Sequence, residues 1–118
     1  MRQMCLDMVY ELAKEDPRIF FIGSDLGANT LDKFKEEMPS RFLMEGISEA
    51  NVVGMATGMA LEGKIPYVNT IATFLTRRCF EQIVLDLCLH DVNVRLIGNG
   101  GGPVSYTHLR AHETRHDL

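Results

Sequence analysis

Nothing in this chain restricts its fold as strongly as the run IFFIG, Ile19 to Gly23. No polar residue interrupts it, so neither of its faces is suited to water, and a glycine closes it. That is the pattern of a strand buried on both sides, as in a parallel sheet covered by helices above and below. Three further strand-like segments follow, RFLMEG, IPYVNT and VNVRLIG, with helical patterns between them. Strands alternating with helices at such short spacing predict an α/β fold, a parallel sheet with helices on both faces.

The helical segments have their own signals. Met4, Cys5, Met8, Val9 and Leu12 recur at helical spacing and predict an amphipathic helix ending near Asp16-Pro17. LDKFKEEMP predicts a short charged helix stopped by Pro39. Ser48 is expected to cap a helix running to about Glu62, where Gly63 stops it. Within that helix Gly54 and Gly58 share one face. Each glycine costs a helix about 1 kcal/mol relative to alanine, so another backbone is expected to approach there, either the chain's own sheet or a neighbouring subunit. Phe80, Ile83, Val84 and Leu87 mark one face of a further helix. Ligands of parallel sheets sit at the carboxyl ends of the strands, here the loops after Ile22, Leu43, Val68 and Ile97.

With 118 residues, 46% hydrophobic, the chain suits one globular domain or a piece of one. A net charge of −4 argues against a nucleic-acid surface. No apolar run approaches the roughly 20 residues of a membrane span, and the N-terminus has no signal-peptide pattern. Cys5, Cys79 and Cys88 are odd in number, lie in apolar patterns and include no CxxC, so they are expected to be reduced core residues of a cytoplasmic protein.

The stretch GISEAN sets a lone carboxylate, Glu49, at the mouth of the apolar run VVGMATGMAL. A glutamate there either complements the positive end of its helix, worth well under about 1 kcal/mol when exposed, or works as an acid. The ordered set of motifs around it decides between them. An S-D-L loop, P-x-R-F, G-I-x-E, a small-residue helix, G-x-x-P and T-F occur in that order. RFLMEGISEANVVGMATGMALEGKIPYVNTIATFLTRRCFEQI resembles the pyrimidine-binding domain of transketolase-like, thiamine-diphosphate-dependent enzymes. The likeness runs from near Met4 to about Gly102, and the wording FLTRR and IGNGGG is most similar to the separately encoded C-terminal subunits of split transketolases.

The resemblance implies that Glu49 is the activating glutamate, its carboxyl meeting a pyrimidine nitrogen of the cofactor. A glutamate shielded by Val52 and Val53 can share its proton with that nitrogen, which a fully solvated, ionised one does poorly. It also implies that Phe74 stacks on the aminopyrimidine ring, with Ile71 a secondary contact where many transketolases carry an aromatic. Asp25 and Leu26 match the family's loop after the first strand and would lie near the thiazolium region. Arg77 and Arg78 would meet a sugar phosphate or a neighbouring subunit, or else simply begin a solvated helix. The glycines from Asn99 to Gly102 would admit a ligand to the backbone, or form a plain turn.

No G-D-G motif for gripping Mg²⁺ and the pyrophosphate occurs, so that half of the site is expected on a partner, a pyrophosphate-binding transketolase subunit. Residues 1–102 are expected to be a partial pyrimidine-binding domain, unstable or aggregation-prone alone, with the cofactor between subunits of a homo- or hetero-oligomer. The remainder, 103–118, changes composition abruptly; VSYTHLRAHET resembles a translated sequencing-library adapter, so this tail is expected to be non-native. Its HETRH matches the H-E-x-x-H zinc pattern through His112, Glu113 and His116, but the chain offers no fold around such a metal. The implied activity is transfer of a two-carbon ketol unit between sugar phosphates. Alternatives are 1-deoxyxylulose-5-phosphate synthesis, 2-oxo acid dehydrogenase β-subunit chemistry, or a non-catalytic α/β binding subunit.

Overall fold

A computed structural model of the chain describes residues 1–24 and 29–101. Helix α1 (Arg2–Glu15) leads into β1 (Ile19–Gly23), and α2 (Asp32–Glu37) and a 3₁₀ turn (Pro39–Arg41) into β2 (Phe42–Met44). Helix α3 (Glu49–Leu61), β3 (Ile65–Ile71), a π-helical turn (Phe74–Arg78), α4 (Phe80–Gln82), a π-helical stretch (Ile83–Cys88) and β4 (Arg95–Asn99) complete the order. All pairings are parallel, in the order β2-β1-β3-β4. All four predicted strands are therefore present.

The pleat of the two central strands separates two cores. Ile19 and Phe21 of β1 face α1 and α2, joining Leu6, Val9, Ala13 and Phe34. Ile22 and Val68 face the other way, beneath Val52, Val53 and Ala56 of α3. Aromatic rings fill the first core, with Phe21 stacked on Phe42 at 5.3 Å between centroids and Phe34 tilted against Phe42 at 5.6 Å. Helices thus cover both faces.

Three expected faces need correction. On α1 the buried stripe is Leu6, Val9 and Ala13, while Met4, Met8 and Leu12 are exposed. Both stripes have helical spacing, and the one with a small alanine lies against β1. In the second helical region Phe80 and Val84 are exposed; the inward set is Leu75, Cys79 and Leu87, with Ile83 packed against them. That spacing of four residues exceeds the 3.6 of an α-helix, as i→i+5 turns require. Of the cysteines only Cys79 is buried, while Cys5 and Cys88 are exposed.

The α3 boundaries match expectation, and Gly63 beyond its end has φ +90°. The Ser48 hydroxyl, however, donates to Glu45 O at 3.1 Å and makes no helix cap. Gly54 and Gly58 turn outward: a Cβ on Gly58 would meet nothing within 4 Å, and one on Gly54 only Asp86, at 4.0 Å. Their own sheet is therefore not the close neighbour. Among the described residues no helix is long and apolar enough to cross a membrane.

Arg41, the arginine of P-x-R-F, ties the layers together. Its Nη1 lies 3.1 Å from each of the carbonyls of Ala13, Asp16 and Ile19, joining the C-terminus of α1 to the start of β1. Helix ends leave such carbonyls without intrahelical partners. Arg41→Leu in the full-length chain is expected to cost about 2 kcal/mol, read as a lower denaturant midpoint; an unchanged midpoint would refute the clamp. Nearby, the side chain of Arg18 holds the Asp16 carboxyl down to about 2 from an ordinary 3.8. A lowered carboxyl stabilises the fold above its unfolded value and loses that contribution as pH falls through the folded one. The stability gap between the natural chain and Asp16→Asn should accordingly close between about pH 4 and pH 2, as urea titrations at stepped pH would reveal.

Candidate active site

Parallel pairing brings the ends of all four strands to one edge, and the expected site residues are distributed along it. The loop from β2 delivers Glu49 as the first residue of α3, and β3 runs through Ile71 into the π turn that carries Phe74. Ile71 is half-buried at the end of β3, paired in register with Asn99. Arg77 is exposed on the π turn. Asp25, Leu26 and the histidine-containing tail lie outside the described residues.

Glu49 is only 5% exposed. Its side chain borders a narrow crevice, with no room for a water molecule, together with Ser24, Val52, Val68, Asn69, Thr70 and Leu75. Oε1 has no hydrogen-bond partner among the described residues. Arg78 approaches it at 3.8 Å, close enough for ion pairing and beyond hydrogen-bond reach. The same guanidinium lies over the Phe74 ring, its Cζ 3.7 Å from the centroid. Glu49, Arg78 and Phe74 thus form one contiguous group.

The π turn carries both Phe74 and Arg78, four residues apart on one face, while Cys79 turns inward, the thiol lying 3.5 Å from Phe74 O and 3.4 Å from Leu75 O. Burial, and then the negative charge of Glu49, push the Cys79 thiol up, so it stays neutral and adds no second anion. Such turns are frequent at functional sites.

The strand ends add a polar network that the sequence reading missed. Asn69, fully buried, donates to Ile97 O at 3.0 Å and accepts from the Asn99 amide at 3.0 Å. The hydroxyls of Ser24 and Thr70 lie 2.6 Å apart. An asparagine inside the strand IPYVNT was the available signal, because asparagine is depleted in strands. Gly98, inside β4, is held close to the chain itself, since a Cβ there would lie 3.0 Å from Ala72 Cα, and Gly100 turns with φ +67° and open space beside it. A larger concavity, about 460 Å³, lies between α1 and the start of α2. Its polar lining is solvated, and it holds no buried acid.

A parallel sheet with a buried acid and an aromatic ring at its strand ends has the arrangement of α/β domains whose ligands sit at the carboxyl ends of the strands. The family "Transketolase, pyrimidine binding domain" matches residues 1–111, and the chain belongs to it. It is 31% identical to the 6-deoxy-6-sulfo-D-fructose transketolase subunit SqwH of Clostridium sp. (strain MSTE9), over 100% of this chain and 37% of that protein. It is 37% identical to an apulose-4-phosphate transketolase subunit of Phocaeicola vulgatus, over 99% of this chain and 38% of that protein. The 1-deoxy-D-xylulose-5-phosphate synthase of Synechococcus sp. (strain JA-2-3B'a(2-13)) shares 42% identity over 71% of this chain and 13% of its own length. A solved split-gene transketolase, described as an inactive β4 tetramer, superposes with a TM-score of 0.75 at 35% identity, over 82% of this chain and 32% of that one. The chain therefore spans little more than a third of the curated transketolase subunits it matches.

Asn69→Leu, which leaves Ile97 O and Asn99 without their buried partner, is expected to cost about 1–3 kcal/mol. Faster amide exchange along β4 would register that loss; unchanged protection there would show the network to be idle.

Proposed function

We propose that this chain supplies the pyrimidine-binding half of a thiamine-diphosphate-dependent transketolase, with Glu49 and Phe74 as the pair that holds the ring. The observation that carries the reading is the buried Oε1 of Glu49, which has no hydrogen-bond partner among the described residues, beside a half-exposed aromatic ring. A buried carboxylate lacking a hydrogen-bond partner is costly to a fold, and a ring nitrogen is the partner it lacks. When bound, the cofactor supplies an acidic ring carbon that attacks the substrate carbonyl. The chain's own part is to stack the ring on Phe74, hold a proton at Glu49 and keep water out with Val52 and Leu75. Asp25 and Leu26 belong to this proposal through the family motif alone.

The reaction we infer is transfer of a two-carbon ketol unit between sugar phosphates, in a cytoplasmic enzyme. Mg²⁺ and the pyrophosphate are assigned to a partner subunit. The outward face of Gly54 and Gly58 suits the close approach of another chain, which supports an oligomer. The 42% identity to a 1-deoxy-D-xylulose-5-phosphate synthase favours that chemistry as the second reading. A non-catalytic subunit accounts poorly for an unsatisfied buried acid.

Glu49→Gln in the full-length chain, assembled with its pyrophosphate-binding partner, is expected to lower turnover about 100-fold or more. Steady-state rates at saturating cofactor decide the matter, and an unaltered kcat would leave only the non-catalytic reading.

A further inference from the structure

Arg78 lies between the two groups that the proposed function gives to the cofactor ring. Its guanidinium covers a face of Phe74 at 3.7 Å and approaches Glu49 Oε1 at 3.8 Å. Any ring that touches both residues must enter the space between them, and that space is taken. We propose that Arg78 is a built-in occupant of the ring site, displaced when the aminopyrimidine enters. This inference rests on the reading of Glu49 and Phe74 as the ring-binding pair.

The chemistry of the two occupants is parallel. A guanidinium is flat and delocalised, stacks on aromatic faces and presents N–H groups along its edge. An aminopyrimidine is likewise flat and polar at its edge. Arg78 therefore covers the aromatic face and supplies a counter-charge to a buried carboxylate while the ring is absent.

The hold is also weak enough to be released. The distance to Oε1 exceeds a hydrogen bond, so the acid's acceptor remains unsatisfied. The Arg78 side chain is 51% exposed and has solvent to move into, where an ion pair of this kind is screened. Oε1 is thus free to bond the ring nitrogen, and the arginine is the group that yields.

Such an occupant raises the apparent dissociation constant by the reciprocal of the fraction of molecules with the site open. If the arginine covers the site about nine-tenths of the time, its removal tightens ring binding about tenfold. The effect should follow the ring and ignore the phosphates. In the full-length chain with its partner subunit, calorimetric titration with thiamine and separately with inorganic pyrophosphate tests this. Arg78→Ala is expected to bind thiamine about tenfold more tightly and pyrophosphate unchanged. Thiamine binding that is unchanged or weaker in Arg78→Ala, while Phe74→Ala still weakens it, overturns the occupant and leaves the ring site standing. Tighter pyrophosphate binding in Arg78→Ala also overturns it, since the arginine would then be opposing the anion. If neither Phe74→Ala nor Glu49→Gln affects thiamine binding, the ring site itself falls, and the occupant with it. Should Arg78→Ala fail to fold, Arg78→Lys decides: lysine keeps the charge without the flat stack, so about threefold tighter thiamine binding supports the proposal and no change overturns it.

Discussion

The two central strands, β1 and β3, are covered on both faces, and the rest of the molecule depends on that. Their alternation assigns Ile19 and Phe21 to one helical layer and Ile22 and Val68 to the other, so a one-residue slip would exchange the cores. Because every pairing is parallel, the chain leaves each strand at the same edge. The connection into α3 and the turn after β3 both begin there. Glu49 and Phe74, distant in sequence, become neighbours through topology, and the bridging Arg78 makes the relation physical.

The electrostatics of that edge are spare. Glu49 is a buried acid; Arg78 is a half-exposed cation that approaches it without a hydrogen bond; burial, and then Glu49, push the Cys79 thiol up. A pair selected for stability alone would close to hydrogen-bond distance, because a buried acceptor left open costs more than a satisfied one. The neighbouring polar groups behave differently: Asn69, Asn99, Ser24 and Thr70 satisfy one another across strand ends and brace the edge.

The strands and helix ends were legible because their signals are local. IFFIG needs two apolar neighbours wherever it lies, and Gly63 ends α3 by its own backbone freedom. The faces of the helices were less so. On α1 the Met4-Met8-Leu12 and Leu6-Val9-Ala13 stripes satisfy the same period, and the choice is made by what fits against β1, information that lies elsewhere in the chain. The π turns shift the period after Phe74, exposing Phe80 and Val84, and nothing in local propensity announces the wider winding. Glu49 and Phe74 were singled out by the ordered motifs. Arg78 follows Phe74 at the i,i+4 spacing that places side chains on one helical face; that it also reaches Glu49 depends on how this turn meets α3 and was not visible beforehand.

The motif residues divide by whether their bonding capacity is met. Arg41 is engaged by three carbonyls, Phe42 is stacked on Phe21, and Gly63 turns the chain out of α3. Each is explained by the fold and has nothing left to offer a ligand. Glu49 is different: inside the same scaffold, one of its oxygens has no hydrogen bond among the described residues. A motif shared across a family mixes both kinds of residue, since losing the clamp would move the acid as surely as losing the acid would empty the site. Unmet capacity in a buried group separates the two, and here it points to the strand ends, where Glu49 faces Phe74 across an arginine.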